Sequence, residues 1–558
     1  MSNLNFVKRF VLCLVLLSGI LYVLMMAFLF FNLSTTTSEY SVGGVAAPHQ
    51  FFYNFTHDRP FQSSLYASKG AGASVGFSYN PFAYIHIYVI HVYLTPFFFA
   101  PLWNLWPNLY WLYGLIFLVN YAGMAFFTWK IIKYLSPNSF KIKTAAAIGF
   151  LMFCGFLFVF QYKAQLLLFG APFIMAAYYF LLTRQRSMFF VSMMLLCLIS
   201  EDAAMVVVTF ALYIYFFERG ARAYAYVAGS FAIVYLAVVL LIVQPAARHD
   251  LVLTALATTI VVLKHIQNFF PPDLGKLIFE YLPVLLFLPA FGIVCLLFGK
   301  PKVSWVQVGG LVLIPPLPHW GECAVVGSGH HLMPVIVFMF AAFVLVLGRT
   351  PDIQPNGYTF SRQKAALLLG LSAIFLLGNL RFSSYNLPDQ IRMPIYKLLG
   401  NREMMLKMEQ NFAERRGNRR VIEVVERVPK ENSLVFLTNC SVEGFITGRS
   451  DIWKFPDYYD SADYLVIQPN AHQAFFSFPT KGYRSFREAL AEGRVATSDD
   501  AVISAEMTKA IVRYLVAEAK SHRVAVEEPE VILLERIKKH PINIPSTTIG
   551  FGWIQNVF

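Results

Sequence analysis

Long apolar runs alternate with short basic clusters from Phe10 to Leu380, and the alternation then stops. A helix needs about 20 apolar residues to cross roughly 30 Å of hydrocarbon at 1.5 Å per residue. Phe10–Asn32, Tyr224–Gln244, Leu277–Gly299 and His331–Gly348 are runs of that kind. Beyond Arg381 the pattern changes. Asn401–Arg427 and Thr508–Ser521 carry a helical pattern, and Ser433–Leu437, Tyr464–Ile467 and Val531–Leu534 are short β-rich apolar runs. The pattern predicts a polytopic α-helical membrane protein over residues 1–380 and a small α/β soluble domain over 381–558.

The basic residues orient the spans, because Lys and Arg collect in cytoplasmic loops. Lys8 and Arg9 put the N-terminus inside, and Lys130, Lys133, Lys141 and Lys143 form the next inside cluster. An even number of crossings separates the two, which Phe10–Asn32 and Asn108–Tyr134 supply. Phe82–Trp103 then has no crossing to make and is expected as an interfacial or re-entrant helix on the outer side, where Pro96, Pro101 and its Tyr and Trp residues suit it. Thr144–Tyr162 goes out and Gln165–Leu182 returns to Arg184 and Arg186. Met188–Phe217 must leave and return before Arg219 and Arg222, so it reads as a two-helix hairpin with Glu201 and Asp202 at its outer turn. The rival is one long helix carrying a buried acidic pair. Tyr224–Gln244 exits, Leu277–Gly299 returns, Trp305–Pro315 exits, His331–Gly348 returns and Ala365–Leu380 makes the last exit. About eleven crossings result, with the C-terminal domain outside. Without the re-entrant segment that domain moves to the cytoplasm.

Composition agrees: 57% hydrophobic, 14% charged, mean hydropathy +0.55. The net charge of +13 and pI near 9.3 follow from cytoplasmic loops rich in Lys and Arg. No basic stripe interleaves with exposed aromatics, which argues against nucleic acid; anionic lipid headgroups stay open as partners. Six cysteines show no close pairing, and four of them lie within apolar runs. Phe10–Asn32 is too long for a signal-peptide core and no A-x-A site follows it, so it is expected to stay as an anchor. The expected location is the inner (plasma) membrane, multi-pass, with a periplasmic C-terminal domain.

Three outer segments concentrate polar residues. Leu33–Pro81 holds Glu39, His49, Asp58 and Arg59; Ala246–Lys276 holds Arg248, His249, Asp250, Lys264, His265 and Asp273; the third holds His319, Glu322, Cys323, His330 and His331. With the Glu201–Asp202 turn, all are expected on one membrane face. A carboxylate base, cations for a phosphate and apolar walls for a lipid chain are what an enzyme acting on a lipid-anchored substrate needs. Plainer roles stand beside this: Glu201 and Asp202 as a helix cap or partners of an outer Arg, Glu39 and Asp58 as solvated loop residues. His330, His331, Glu322 and Cys323 have the residue types for a metal, but their spacing matches no zinc pattern. No cofactor is assigned, with a divalent cation as the candidate.

Several strings resemble those of domain-of-unknown-function family 2079, a family of bacterial polytopic membrane proteins distantly related to GT-C glycosyltransferases. HVYLTPFFFAPLWNLWP at His91–Pro107 is similar to that family's HFSP…APLY…P segment. EDAAMV at Glu201–Val206 resembles its KEDAA string, and His331–Ala342 its HY…P…AA helix. RSDIWKFP at Arg449–Pro456, followed by ADYLVI at Ala462–Ile467, resembles its R…Y.FP…ADYV pattern. The resemblance implies a GT-C-like fold and transfer of a sugar from a polyprenyl-phosphate donor, with a carboxylate of the first outer loop as base. Glu39 or Asp58 would be that base; Arg59, Arg248 and Lys264 would bind phosphate; Glu201 and Asp202 would orient donor or metal; His91, His330 and His331 would line the pocket. The lipid-linked substrate and membrane lipids are the implied partners, and residues 381–558 are a candidate surface for protein partners. The chain also departs from the family. The family's first-loop Asp falls near Gly44, and the Lys of KEDAA is Ser200. A non-catalytic GT-C-fold scaffold or assembly subunit is therefore the alternative. A transporter ranks last, since polar residues gather at a rim and not at the midplane.

Overall fold

The helical part of the chain is built around one buried axis. In the computed structural model the described residues are mainly 109–161, 170–243, 287–320, 332–352 and 512–538, with shorter stretches at 62–63, 84–86, 423–429, 435–437, 452–454, 463–467 and 548–549 and isolated positions elsewhere. Nine α-helices stand among them: α1 Leu109–Leu135, α2 Phe140–Gln161, α3 Gly170–Leu182, α4 Arg186–Cys197, α5 Glu201–Phe217, α6 Arg222–Val238, α7 Phe287–Phe298, α8 Trp305–Leu313 and α9 Leu332–Gly348. A π-helical turn, Val239–Val243, extends α6.

α9 is apolar on every side, and such a helix has no face to offer water. Met333 to Gly348 are buried without interruption, and α9 packs on α1, α2, α3, α7 and α8. Aromatic rings fill the space around it. Phe150 stacks on Phe343 with centroids 4.3 Å apart and meets Phe287 edge-on at 5.3 Å, while Phe338 meets Phe210 edge-on at 5.2 Å. α6 is one-sided. Its buried positions include Ala225, Ala228, Gly229 and Ala232, small residues that let it lie close against α5. Its outward side shows Tyr226, Val227, Ile233, Val234 and Leu241, all more than half exposed. Arg219–Val243 is long and apolar enough to cross a membrane by itself. An apolar surface of this extent needs a non-aqueous cover.

The hairpin reading of Met188–Phe217 is the one the structure takes. α4 and α5 are separated by Leu198–Ser200, and Arg184 Nη2 before α4 lies 3.5 Å from Glu218 Oε2 after α5. One long helix would hold those two residues far apart. The basic segments that charge alone grouped together also meet. Tyr224 Oη donates to the carbonyl of Arg184 at 2.8 Å, Lys143 Nζ donates to the carbonyl of Thr350 at 2.8 Å, and the Lys302 amide donates to that of Arg349 at 2.9 Å. These residues define a basic end of the bundle; Glu201 lies at the other.

Two small sheets accompany the helices. In the first, β1 (Gln62–Ser63) pairs antiparallel with β2 (Tyr84–His86), which pairs parallel with β8 (Thr548–Ile549). This corrects the expectation of an interfacial helix at its start: Tyr84–His86 is strand, consistent with the β preference of its Tyr and Ile. The rest of that segment lies outside the described residues. The second sheet has the order β4 (Ile452–Lys454), β3 (Val435–Leu437), β5 (Tyr464–Ile467), β7 (Ile532–Arg536), β6 (His522–Glu527), with β3 parallel to both neighbours and the other pairs antiparallel. Val421, Val424, Val425 and Val428 pack on Tyr464, Val466 and Leu533 of this sheet.

Arg420 clamps this unit by holding both carboxylate oxygens of Glu528, at 2.5 and 2.6 Å. The bidentate bond keeps the Glu528 carboxyl below its usual range. A carboxyl depressed in the folded state contributes stability that is present above its unfolded value and is lost as pH falls through the folded one. Acidification below about pH 4.5 is expected to loosen the 420–428 segment first, seen as faster amide exchange. In Glu528→Gln that acid-dependent step should vanish.

Candidate functional site

Ser200 adopts an extended conformation (φ −163°, ψ 165°) and its Oγ accepts a hydrogen bond from the Ala203 amide at 3.2 Å, capping α5. Glu201 and Asp202 follow in the first turn, where the partial positive charge of the helix N-terminus favours carboxylates. A cap alone would leave them in solvent, yet Glu201 is only 7% exposed. Other helix ends meet the turn that precedes it. A Cβ placed on Gly170, the first residue of α3, would stand 2.9 Å from Leu196 Cδ1, 3.7 Å from Ile199 Cδ1 and 3.7 Å from Met333 Cε. The N-termini of α3, α5 and α9 therefore gather at this end. Helix N-termini attract anions, and a buried carboxylate among them can position a cation or accept a proton.

Thr209 lies two turns along α5 from Glu201, about 12 Å at 1.5 Å per residue. Its hydroxyl meets the carbonyl of Pro315, where α8 has stopped. Pro315 and Pro316 supply no amide donors, so the helical ladder breaks within the bundle. The chain turns and resumes with Trp320 N donating to the Pro316 carbonyl at 3.0 Å and Trp320 Nε1 to the Val312 carbonyl at 3.3 Å. His319 in this turn is fully buried. The sequence pattern ends the span at Pro315 and predicts His319 in an outer segment. The string Pro315, Pro316, Pro318 was the signal for a break, but it does not say that the chain beyond it stays inside.

Of the residues proposed from sequence, the structure describes Glu201 and Asp202, side by side at the α5 N-terminus. Glu39, Asp58, Arg59, His91, Arg248, Lys264, His330 and His331 lie outside the described residues, as do Glu322 and Cys323.

The basic end has its own polar network. Gln307 Nε2 donates to Glu218 Oε1 at 2.6 Å. Burial pushes the Glu218 carboxyl up, against the pull of Arg184, Gln307 and Arg349. Ser136 Oγ donates to Asp352 Oδ1 at 2.8 Å, and this bond leads those that hold Asp352 below the usual carboxylate range.

No curated protein matches this chain. Among solved structures it is similar to ArnT from Cupriavidus metallidurans, crystallised bound to undecaprenyl phosphate, at 11% sequence identity and a TM-score of 0.42, with 94% of this chain and 98% of that chain covered. The family profile for predicted membrane protein DUF2079 matches residues 46–494, most of the chain, which therefore belongs to that family of membrane proteins.

Proposed function

We propose that the protein is a GT-C-like membrane glycosyltransferase that moves a sugar from a polyprenyl-phosphate donor to an acceptor on the outer face of the inner membrane. The observation that carries this reading is the buried Glu201 where three helix N-termini gather. Such a place suits an anionic headgroup together with a cation that Glu201 and Asp202 hold or orient. In the reaction, Glu39 or Asp58 takes the proton of the acceptor hydroxyl. The acceptor oxygen attacks the anomeric carbon, the bond from that carbon to the phosphate oxygen breaks, and polyprenyl phosphate leaves. Arg59, Arg248 and Lys264 bind the phosphate; His91, His330 and His331 line the pocket. The basic end faces the cytoplasm, and the first loop and residues 381–558 face the periplasm. The pairing of β2 with β8 supports placing loop and tail on one side.

The alternative, a scaffold that keeps the fold and binds a lipid or a protein partner, is favoured by Gly44 where the family carries its first-loop Asp. One experiment separates the two. The full chain in nanodiscs is titrated with undecaprenyl phosphate by native mass spectrometry, then given a panel of radiolabelled polyprenyl-phosphate hexoses together with a bacterial envelope extract as the source of acceptor hydroxyls, scoring release of free polyprenyl phosphate and transfer of the label. The transferase releases it from at least one donor, and the rate falls about 100-fold or more in Glu39→Gln or Asp58→Asn. In Glu201→Gln binding weakens as well. Binding without release indicates the scaffold. No binding would sink the transferase and leave the scaffold with a protein partner or another lipid.

A further inference from the structure

The end of the bundle opposite Glu201 carries more positive charge than its own acids use. Segments 130–143, 182–186, 218–224, 299–307 and 348–352 contain eleven Lys and Arg against two acids, Glu218 and Asp352. Both acids are engaged: Glu218 with Arg184 and Gln307, Asp352 with Ser136 and Asn138. Arg186, Arg219 and Arg222 are exposed, and among the described residues no carboxylate forms an ion pair with them. Two of the three guanidinium groups rest on aromatic rings. Arg222 lies 5.0 Å from the Tyr215 centroid and also donates to the Tyr215 carbonyl, and Arg186 lies 5.9 Å from the Tyr224 centroid. A guanidinium stacked in this way keeps its outer N–H fork open to a phosphate. On the same helices, next to these residues, Met188, Phe216 and Tyr226 are 50%, 59% and 61% exposed.

We propose that Arg186, Arg219 and Arg222 form a docking surface for the phosphate headgroups of anionic phospholipids in the leaflet at this end. A soluble phosphate would satisfy the guanidinium groups but would make no contact with Met188, Phe216 and Tyr226. A phospholipid supplies both the phosphate and the acyl chains that cover the apolar side chains below it. Arg184 stands apart from the surface because it pairs with Glu218.

The test uses the full chain in mixed nanodiscs of phosphatidylglycerol and phosphatidylcholine, with retained lipids counted by native mass spectrometry. The wild type retains phosphatidylglycerol over phosphatidylcholine by about fivefold or more, the effect expected of even one well-placed basic residue near an anionic surface. R186Q/R219Q/R222Q brings the ratio toward one, and R186K/R219K/R222K keeps most of the preference. If the glutamine variant fails to fold, the wild type at about 1 M salt answers instead, since a Debye length of about 3 Å screens exposed charges. A wild type without preference, a glutamine variant that keeps it, or a preference unmoved by salt overturns the proposal. So does its loss to inorganic phosphate at an ionic strength at which chloride leaves it intact, which would point to a soluble ligand.

Discussion

Lys143→Ala is expected to destabilise the protein by about 3 kcal/mol, the scale reached when a buried charged group is removed from its partners. Lys143 is fully buried near the start of α2. Its Nζ donates to Ser136 Oγ and to the Thr350 carbonyl, each at 2.8 Å, and Ser136 Oγ in turn donates a hydrogen bond to Asp352 Oδ1. The ammonium thus joins the α1–α2 turn to the chain that leaves α9. Alanine removes the ammonium and leaves the Thr350 carbonyl without that donor, a penalty of about 1–3 kcal/mol; it also opens a cavity where three methylenes packed. Lys143→Met fills most of that volume and should cost clearly less. SDS titration of the three proteins in mixed micelles measures the difference. Equal stability of Lys143→Ala and wild type would mean the network contributes nothing.

The second large effect is at Gly123. A Cβ there would stand 2.7 Å from Pro172 Cβ, closer than side chains tolerate, and the proline ring cannot swing aside. Gly123→Ala must push α1 away from α3 and, through the α9 contacts both helices make, disturb the buried axis. Overpacking of this kind costs about 1–3 kcal/mol. Gly309 is the control. Nothing lies within 4 Å of a Cβ placed there, so Gly309→Ala should be neutral or stabilise by up to about 1 kcal/mol through helix propensity. A lower unfolding temperature for Gly123→Ala alone is the expected outcome. If both variants behaved alike, the close approach of α1 and α3 would be wrong.

What was legible in the sequence follows from how strongly each signal is imposed. Basic clusters were informative because charge is costly inside a membrane, and the segments grouped by Lys and Arg do meet at one end of the bundle. The α4–α5 hairpin could be read from Arg184, Arg186, Arg219 and Arg222 for the same reason. Tyr84–His86 could not. Its apolar and aromatic residues suit an interfacial helix and a strand equally, and its partner strand, Thr548–Ile549, lies at the far end of the chain. Strand β6, His522–Glu527, was missed because one apolar face on a polar edge strand gives only a short alternation. The broken helix after α8 was half legible: prolines announce a break, but the burial of His319 is decided by packing against other helices. Within the candidate site, Ser200, Glu201 and Asp202 carry a recognisable N-cap signature, whereas the approach of Ile199 and Met333 to Gly170 is a tertiary event that no local pattern encodes.

The parallel pairing of β2 with β8 also sets a clock. At about 5–20 residues per second, a ribosome needs roughly half a minute to a minute and a half to travel from Tyr84 to Thr548. Throughout that interval β2 has only β1 on one edge and an unpaired edge on the other. The helices between can insert and pack as they emerge, so this strand pair closes last. Strand-binding chaperones would therefore meet the open edge of β2 only on nascent or truncated chains, and removal of the last dozen residues should leave that edge open while the helical bundle stays assembled.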